Sequence, residues 1–194
     1  MTLRHPRVLR VCLIGLVFAA LGFFVIDRVV NLIREKRLPK NIAIVREGAL
    51  YRSGQMEPTH LEEVIKKFHI RTVIQLNPEP KNQWEEDVAR QCGARVVKIP
   101  MPGTGRGETD DFARVLEIVR DASQQPVLVH CAAGANRTGM ACALYRMMDE
   151  GWVHADAVRE MDSKGFDHRV DLPKLLLEVH DVLVCRERGK GMRE

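Results

Sequence analysis

A cysteine and an arginine six positions apart lie in the stretch VHCAAGANRTG, which covers residues 129–139. The β-branched run PVLVH, residues 126–130, precedes the cysteine, and a long apolar segment with helical spacing follows the arginine. Between the two lie small residues, including Gly134, which permits the backbone angles that a tight loop needs. The pattern therefore predicts a strand, a loop and a helix, with a thiol where the strand ends.

The chemistry predicted for this loop is the binding of a phosphate. Backbone N–H groups at a helix start have no partner within the helix, and together with the helix dipole they form an anion site. The guanidinium of Arg137 has the planar shape that binds two phosphate oxygens at once. The residues expected to contact phosphate are Cys131, Ala132, Ala133, Gly134, Ala135, Asn136 and Arg137.

The position of the thiol predicts nucleophilic catalysis. A cysteine at a helix N-terminus beside a cation has a lowered pKa, which predicts that Cys131 attacks phosphorus and forms a phosphocysteine. Thr138 is expected to donate a hydrogen bond to the sulfur when it leaves, and His130 to orient the loop. The alternative is a buried structural cysteine beside a helix-capping arginine. The nucleotide-binding motif G-x-x-x-x-G-K-[ST] is absent from the sequence, so nucleotide hydrolysis of that kind is not indicated.

Alternating strand and helix patterns must position this loop. Strands are predicted at 71–76, 94–99 and 126–130, after a strand or hairpin at 41–55, and helices finish the chain. This order is typical of an α/β fold in which helices flank a central, mostly parallel sheet. Sites in such folds form at the carboxyl ends of strands. Arg52 and Ser53 are expected in a turn, with no role beyond the cleft wall.

An N-terminal membrane segment is predicted beside this domain. Residues 11–26, VCLIGLVFAALGFFVI, contain no charge and are flanked by arginines, although a bilayer core needs ~20 helical residues. A cleaved signal peptide is the alternative. We expect a membrane anchor with the catalytic domain on the periplasmic side. Basic residues on both sides of the segment leave a cytoplasmic orientation open.

Charge and cysteine content exclude other classes of function. Residues 1–40 carry eight Lys and Arg against two acids, so the remainder of a chain of net charge +4 carries −2. A nearly neutral domain does not indicate a nucleic-acid partner. The five cysteines show no zinc-type spacing, so no metal and no cofactor are expected. The sequence leaves the oligomeric state open.

The run from His130 to Gly139 resembles the active-site loop of cysteine-dependent protein tyrosine phosphatases. LYRSGQ at 50–55 and the segment at 145–161 are similar to those of the compact dual-specificity branch found in bacteria. The resemblance covers roughly residues 42–185 and implies a metal-free α/β phosphatase. We expect an anchor and basic linker at 1–40, a catalytic domain at 41–188 and a tail at 189–194.

The resemblance also implies a general acid, usually an aspartate on the loop before the helix that precedes the active-site strand. The early part of this loop, PMPGTGRGETDDF, contains no aspartate. Asp110 is the first candidate for the proton donor and Glu108 the second. The alternative is that Thr109 or Asp110 caps the next helix and that the acidic first turn complements its dipole.

The function expected from the sequence is hydrolysis of a phosphoric monoester by a tyrosine or dual-specificity protein phosphatase. Its partner is then a phosphorylated protein or another phosphomonoester. No lysine or further arginine lies between Cys131 and Arg137, which disfavours highly charged inositol phosphates. One alternative is a phosphate-binding pseudophosphatase module with weak or no turnover, because the usual aspartate is missing. Another is an arsenate reductase, which needs nearby resolving cysteines, and Cys142 is expected to lie a helix turn too deep to serve easily.

Overall fold

The N-terminal segment does not show the predicted membrane span. The computed structural model describes residues 15–16, 19–29, 39–78 and 83–191, and residues 15–16 and 19–29 are helical. Within these ranges no helix has the length and apolar character needed to cross a membrane. The membrane segment predicted at 11–26 is therefore not supported, and its residues 11–14 and 17–18 lie outside the described ranges. Residues 1–38 and 39–194 form two separate units.

A five-stranded sheet lies at the centre of the second unit. Its strands are β1 (Ala43–Arg46), β2 (Leu50–Gly54), β3 (Thr72–Gln75), β4 (Arg95–Lys98) and β5 (Val127–Cys131). The spatial order is β1-β2-β5-β3-β4. The β1–β2 pair is antiparallel, and the other three pairs are parallel. The predicted hairpin and the mostly parallel sheet are confirmed.

In the described part of this unit, six helices follow or connect these strands. They are α1 (Pro58–Phe68), α2 (Gln83–Gln91), α3 (Thr109–Arg120), α4 (Asn136–Asp149), α5 (His154–Ser163) and α6 (Leu172–Gly191). Buried residues of α3 to α6 pack on one face of the sheet, and those of α1 and α2 pack on the other. This arrangement confirms the predicted α/β class, with a central sheet flanked by helices.

The central strand β5 faces both layers, and all five of its residues are buried. Val127, Val129 and Cys131 belong to the core on the α3–α6 side, while Leu128 belongs to the core on the α1–α2 side. Successive side chains of a strand alternate between the two faces of the sheet. Cys131 therefore lies on the face that α4 covers, and His130 lies on the opposite face.

The parallel strands bring three chain segments to one edge of the sheet. In the register of β5 with its neighbours, Gly54 pairs with Cys131 and Gln75 pairs with His130. The carboxyl ends of β2, β3 and β5 consequently lie side by side. The segments that leave these strands form the candidate site.

Candidate active site

The predicted loop lies between β5 and α4, as the sequence pattern requires. Strand β5 ends at Cys131 and α4 begins at Asn136, so four residues, Ala132–Ala135, connect the two. Gly134 has a φ of +68°, in the left-handed region that favours glycine. Residues Ala132–Ala135 are called the phosphate loop below.

Three successive carbonyl groups of the phosphate loop are bound by the surrounding protein. Gln55 N–H donates to Ala132 O (3.1 Å), Asn41 Nδ2 to Ala133 O (2.9 Å) and Arg52 Nη2 to Gly134 O (2.7 Å). By contrast, the backbone N–H groups of residues 133–137 donate to no acceptor in the described part of the chain. With the carbonyls held by the scaffold, these donors are available to an anion at the positive end of the α4 dipole.

The phosphate loop packs directly against the backbone of β2. A Cβ atom on Gly134 would lie 2.5 Å from the nitrogen of Gly54 and 2.6 Å from the carbonyl carbon of Ser53. Real Cβ contacts are not this short. A glycine at this position therefore serves two needs, because the backbone angle and the close approach both exclude a side chain.

Cys131 is 2% exposed and forms no disulfide. The hydroxyl groups of Ser53 and Thr138 are also buried, and neither has a hydrogen-bond partner among the described residues. Thr138 is predicted to donate to the sulfur, and its unpartnered hydroxyl is consistent with that role. Polar groups that are buried without partners are costly and usually indicate a ligand or a chemical role.

Arg137 is held from one side. Its Nη1 donates to Leu76 O and to Asn77 Oδ1, both at 3.1 Å, and the residue is 7% exposed. Its Nε is buried and has no acceptor within the described ranges. The carboxyl end of β3 therefore orients the guanidinium and leaves donors for an anion, as the predicted bidentate contact requires.

His130 is held by a buried carboxylate on the other face of the sheet. Its Nε2 lies 2.6 Å from Glu85 Oε1, and Gln75 Nε2 donates to Glu85 Oε2 at 3.1 Å. His130 is 3% exposed and Glu85 2% exposed. This buried network joins α2, β3 and β5 directly behind Cys131, in agreement with the orienting role predicted for His130.

Asn136 contributes a feature that the sequence pattern did not indicate. Its Nδ2 donates to Thr104 O (3.3 Å), and its Oδ1 accepts the N–H of Asp167 (2.8 Å). The side chain of Asn136 therefore binds the loop before α3 and the loop before α6. Its backbone N–H is what remains for the predicted phosphate contact.

The structure does not bring the predicted proton donors to the phosphate loop. The Asp110 side chain is 82% exposed and forms an ion pair with Arg186 of α6. Glu108 immediately precedes α3, and its N–H donates to Asp111 Oδ2 at 3.1 Å. These acids begin a helix whose N-cap is Glu108, one residue before the caps considered in the alternative, Thr109 and Asp110. No carboxylate within 39–78 or 83–191 forms a hydrogen bond or ion pair with residues 131–137.

Asp167 reaches the site through its backbone N–H, which donates to Asn136 Oδ1. Hydrogen bonds from the side chain and backbone of Arg169 lower the pKa of Asp167. The Asp167 carboxylate is bound by Arg169 and forms no hydrogen bond or ion pair with residues 131–137 among the described residues.

Cys142 is not suited to act as a resolving cysteine. It is fully buried on α4, and burial raises the pKa of its thiol to about 11. The thiolate is the reactive form in disulfide exchange, and this form is suppressed at neutral pH. The arsenate reductase alternative loses the second cysteine that it needs.

Sequence reasoning missed two residues whose side chains bind the phosphate loop, Arg52 and Asn41. Arg52 and Ser53 lie in β2 and not in the predicted turn, and Arg52 is completely buried. Asn41, which has a φ of +54°, binds both the phosphate loop and Lys164 O (2.9 Å). The sequence signal that could have identified Arg52 is its position as a charged residue within LYRSG, a run that is otherwise uncharged and forms a buried strand.

Comparison with known proteins gives a family model described as a DSP-PTPase phosphatase fused to NAD+ kinase, which matches residues 27–171. The dual specificity protein phosphatase TpbA of Pseudomonas aeruginosa (strain UCBPP-PA14) is 32% identical over 127 residues, 63% of this chain and 54% of TpbA. The inositol diphosphatase DSP1 of Oryza sativa subsp. japonica is 30% identical over 114 residues, 57% of this chain and 50% of that protein. The chain thus spans about half the length of these curated relatives.

Solved structures agree with the fold. The core catalytic domain of the PP-IP phosphatase SIW14 from S. cerevisiae has a TM-score of 0.69 at 22% identity, covering 79% of this chain and 93% of that one. TpbA of P. aeruginosa in complex with phosphotyrosine has a TM-score of 0.52 at 28% identity, covering 61% and 70%. The similarity to SIW14, at this identity, concerns the fold alone.

Proposed function

Because the chain belongs to the cysteine-dependent protein tyrosine phosphatase superfamily, with dual-specificity-like relatives, we propose that it hydrolyses phosphoric monoesters through a phosphocysteine at Cys131. One observation carries the proposal. The carbonyls of residues 132–134 are held by Gln55, Asn41 and Arg52, while the N–H groups of residues 133–137 have no described acceptor. Such a set of donors beside a cysteine fits a phosphoryl group.

The proposed reaction has two steps. The Cys131 thiolate attacks phosphorus, an S–P bond forms, and the P–O bond to the leaving group breaks, with the electron pair going to the leaving oxygen. Water then attacks the phosphocysteine, the S–P bond breaks, and inorganic phosphate and the thiolate are released. In both steps Arg137 and the free N–H groups hold the phosphoryl oxygens, while Thr138 donates to the sulfur as it leaves.

The leaving group limits the proposed substrates. No described carboxylate forms a hydrogen bond or ion pair with residues 131–137, which favours a substrate whose leaving group needs little protonation. A tyrosine phenol has a pKa of about 10 and leaves more readily than a serine alkoxide. We therefore infer a protein phosphatase that prefers phosphotyrosine. This preference is narrower than dual specificity.

A phosphoanhydride is the second candidate substrate, as in the relatives named inositol diphosphatases. Its leaving group is a phosphate whose second pKa is about 6, so it departs without a general acid. The missing proton donor favours this candidate, and the missing lysine or arginine within residues 132–136 disfavours it. A phosphate-binding module without turnover is the remaining alternative.

The test compares the full chain with its Cys131→Ser variant on p-nitrophenyl phosphate, whose leaving group needs little protonation. We expect turnover by the natural chain, loss of turnover in the variant, and radiolabelled phosphate on Cys131 after acid quenching. Turnover that persists in Cys131→Ser would contradict the mechanism. Binding of a phosphopeptide without turnover would instead support the binding module.

Substrate class is tested by comparing three compounds at equal concentration: a phosphotyrosine peptide, the matching phosphoserine peptide and an inositol pyrophosphate. The proposal expects the phosphotyrosine peptide to have the highest kcat/KM. A higher kcat/KM for the pyrophosphate would replace the protein substrate with the phosphoanhydride.

A further inference from the structure

Arg52 is a buried cation with no carboxylate partner among the described residues. It is 0% exposed, and its one described hydrogen bond runs from Nη2 to Gly134 O at 2.7 Å. Its Nε and Nη1 are also buried, and neither has an acceptor among the described residues. A buried charge is costly unless it is paired, so a guanidinium in this state indicates an anion that the site itself provides or binds.

The strand register places Arg52 on the same face of the sheet as the nucleophile. Arg52 pairs with Val129, and Gly54 pairs with Cys131, in the parallel β2–β5 ladder. Residues two apart on a strand share a face, so Arg52 and Cys131 both lie on the side that α4 covers. Its hydrogen bond to Gly134 places the guanidinium against the phosphate loop.

The charged and titratable groups around Arg52 leave few candidates for its anion. Residue Arg137 of α4 is itself a cation, and Arg146 of α4 is paired with Glu150 and Glu160. The thiol of Cys142 stays protonated, because burial raises its pKa to about 11.

Glu85 and His130 lie on the opposite face, as the alternation along β5 requires. The anions that the site itself would place on the face of Arg52 are the Cys131 thiolate and a phosphoryl group bound in the phosphate loop.

We propose that Arg52 is a positioning residue of the phosphate loop, which holds the Gly134 carbonyl away from the anion and stabilises that anion with buried positive charge. The inference rests on the proposed function of the loop. A lysine would keep the charge and lose the planar fork, because an ammonium cannot reproduce guanidinium geometry. The two contributions can therefore be separated by substitution.

The test uses Arg52→Met, Arg52→Lys and the control Leu50→Ala in the full chain. Leu50 lies on the same strand and face, is 1% exposed and has no polar role, so its truncation only weakens packing. Two readouts do not need turnover. One is the pH at which Cys131 is half-maximally alkylated by iodoacetamide, followed by peptide mass spectrometry, and the other is the affinity for inorganic phosphate.

We expect Arg52→Met to move the alkylation profile of Cys131 toward higher pH and to weaken phosphate binding about tenfold or more. Arg52→Lys should keep most of the alkylation profile and still lose phosphate affinity. Leu50→Ala should lower the free energy of unfolding and leave both readouts near those of the natural chain.

Equal alkylation profiles and phosphate affinities for Arg52→Met and Leu50→Ala would overturn the proposal, because Arg52 would then be structural only. If Arg52→Met does not fold, Arg52→Lys decides: unchanged phosphate affinity in that variant contradicts the positioning role. A natural chain that binds phosphate without turning over p-nitrophenyl phosphate would refute the proposed hydrolysis, and the Arg52 comparison would remain interpretable.

Discussion

Replacing Gly134 by alanine tests the contact between the phosphate loop and β2. The residue has a φ of +68°, and a left-handed backbone costs a non-glycine residue about 1–3 kcal/mol. The new Cβ would also lie 2.5 Å from the nitrogen of Gly54, an overlap with backbone that no side-chain rotation relieves. Forced overpacking of this kind adds about 1–3 kcal/mol.

The expected loss for Gly134→Ala is therefore about 2–6 kcal/mol in the free energy of unfolding. For a chain of this length, each kcal/mol lowers Tm by about 2–4 °C, which gives a fall of about 4–24 °C. Any separation of the loop from β2 also displaces the N–H donors, and a shift of about 1 Å costs about 10²-fold in rate. Thermal unfolding and kcat/KM on p-nitrophenyl phosphate measure the two effects.

Gly151→Ala is the matched control for this substitution. Gly151 has a φ of +69°, almost the same as Gly134, and a Cβ there would meet no atom within 4 Å. It should therefore show only the backbone cost of about 1–3 kcal/mol and normal turnover. If the two variants lose equal stability and Gly134→Ala keeps full activity, the described packing of the loop on β2 is wrong.

Three further predictions concern groups away from the phosphate loop. Asp110→Asn should leave turnover of p-nitrophenyl phosphate and of phosphotyrosine within about twofold, because the exposed carboxylate of Asp110 pairs with Arg186. A loss of ~10²-fold or more would instead identify Asp110 as the proton donor. Glu85→Ala should lower the free energy of unfolding, measured in urea, by about 3–5 kcal/mol, because it leaves a buried imidazole and a buried amide without their acceptor. The control Glu86→Ala, at an exposed neighbouring position, should cost under about 1 kcal/mol. Equal losses in the two variants would contradict the buried network. Burial raises the pKa of Cys142 from 9.0 to about 11, so the unfolded chain releases this proton at lower pH than the folded chain. The free energy of unfolding should therefore fall as pH rises across that window. Cys142→Ala should flatten this pH dependence, and an unchanged slope would refute the raised pKa of Cys142.

The general acid shows what sequence reasoning could not decide, and the choice of Asp110 or Glu108 as proton donor stays a prediction. Asp110 and Asp111 are adjacent at the start of α3, and the sequence predicts an acidic first turn there. Adjacent helical residues point about 100° apart, so the path of the helix over the sheet decides what each side chain meets. In the structure Asp111 accepts the N–H of Glu108, and Asp110 faces Arg186 of α6, which is 76 residues away in the chain.

The sequence by itself determined the order of strands and helices, the α/β class and the position of the phosphate loop between β5 and α4. These features are local, because hydrophobic periodicity and the spacing from Cys131 to Arg137 report on consecutive residues. Only the tertiary structure decided what supports the loop: Arg52 and Asn41 bind its carbonyls from 82 and 92 residues away. Periodicity shows that a residue is buried, but the partner of a buried polar group depends on strand order and register, which no local pattern encodes.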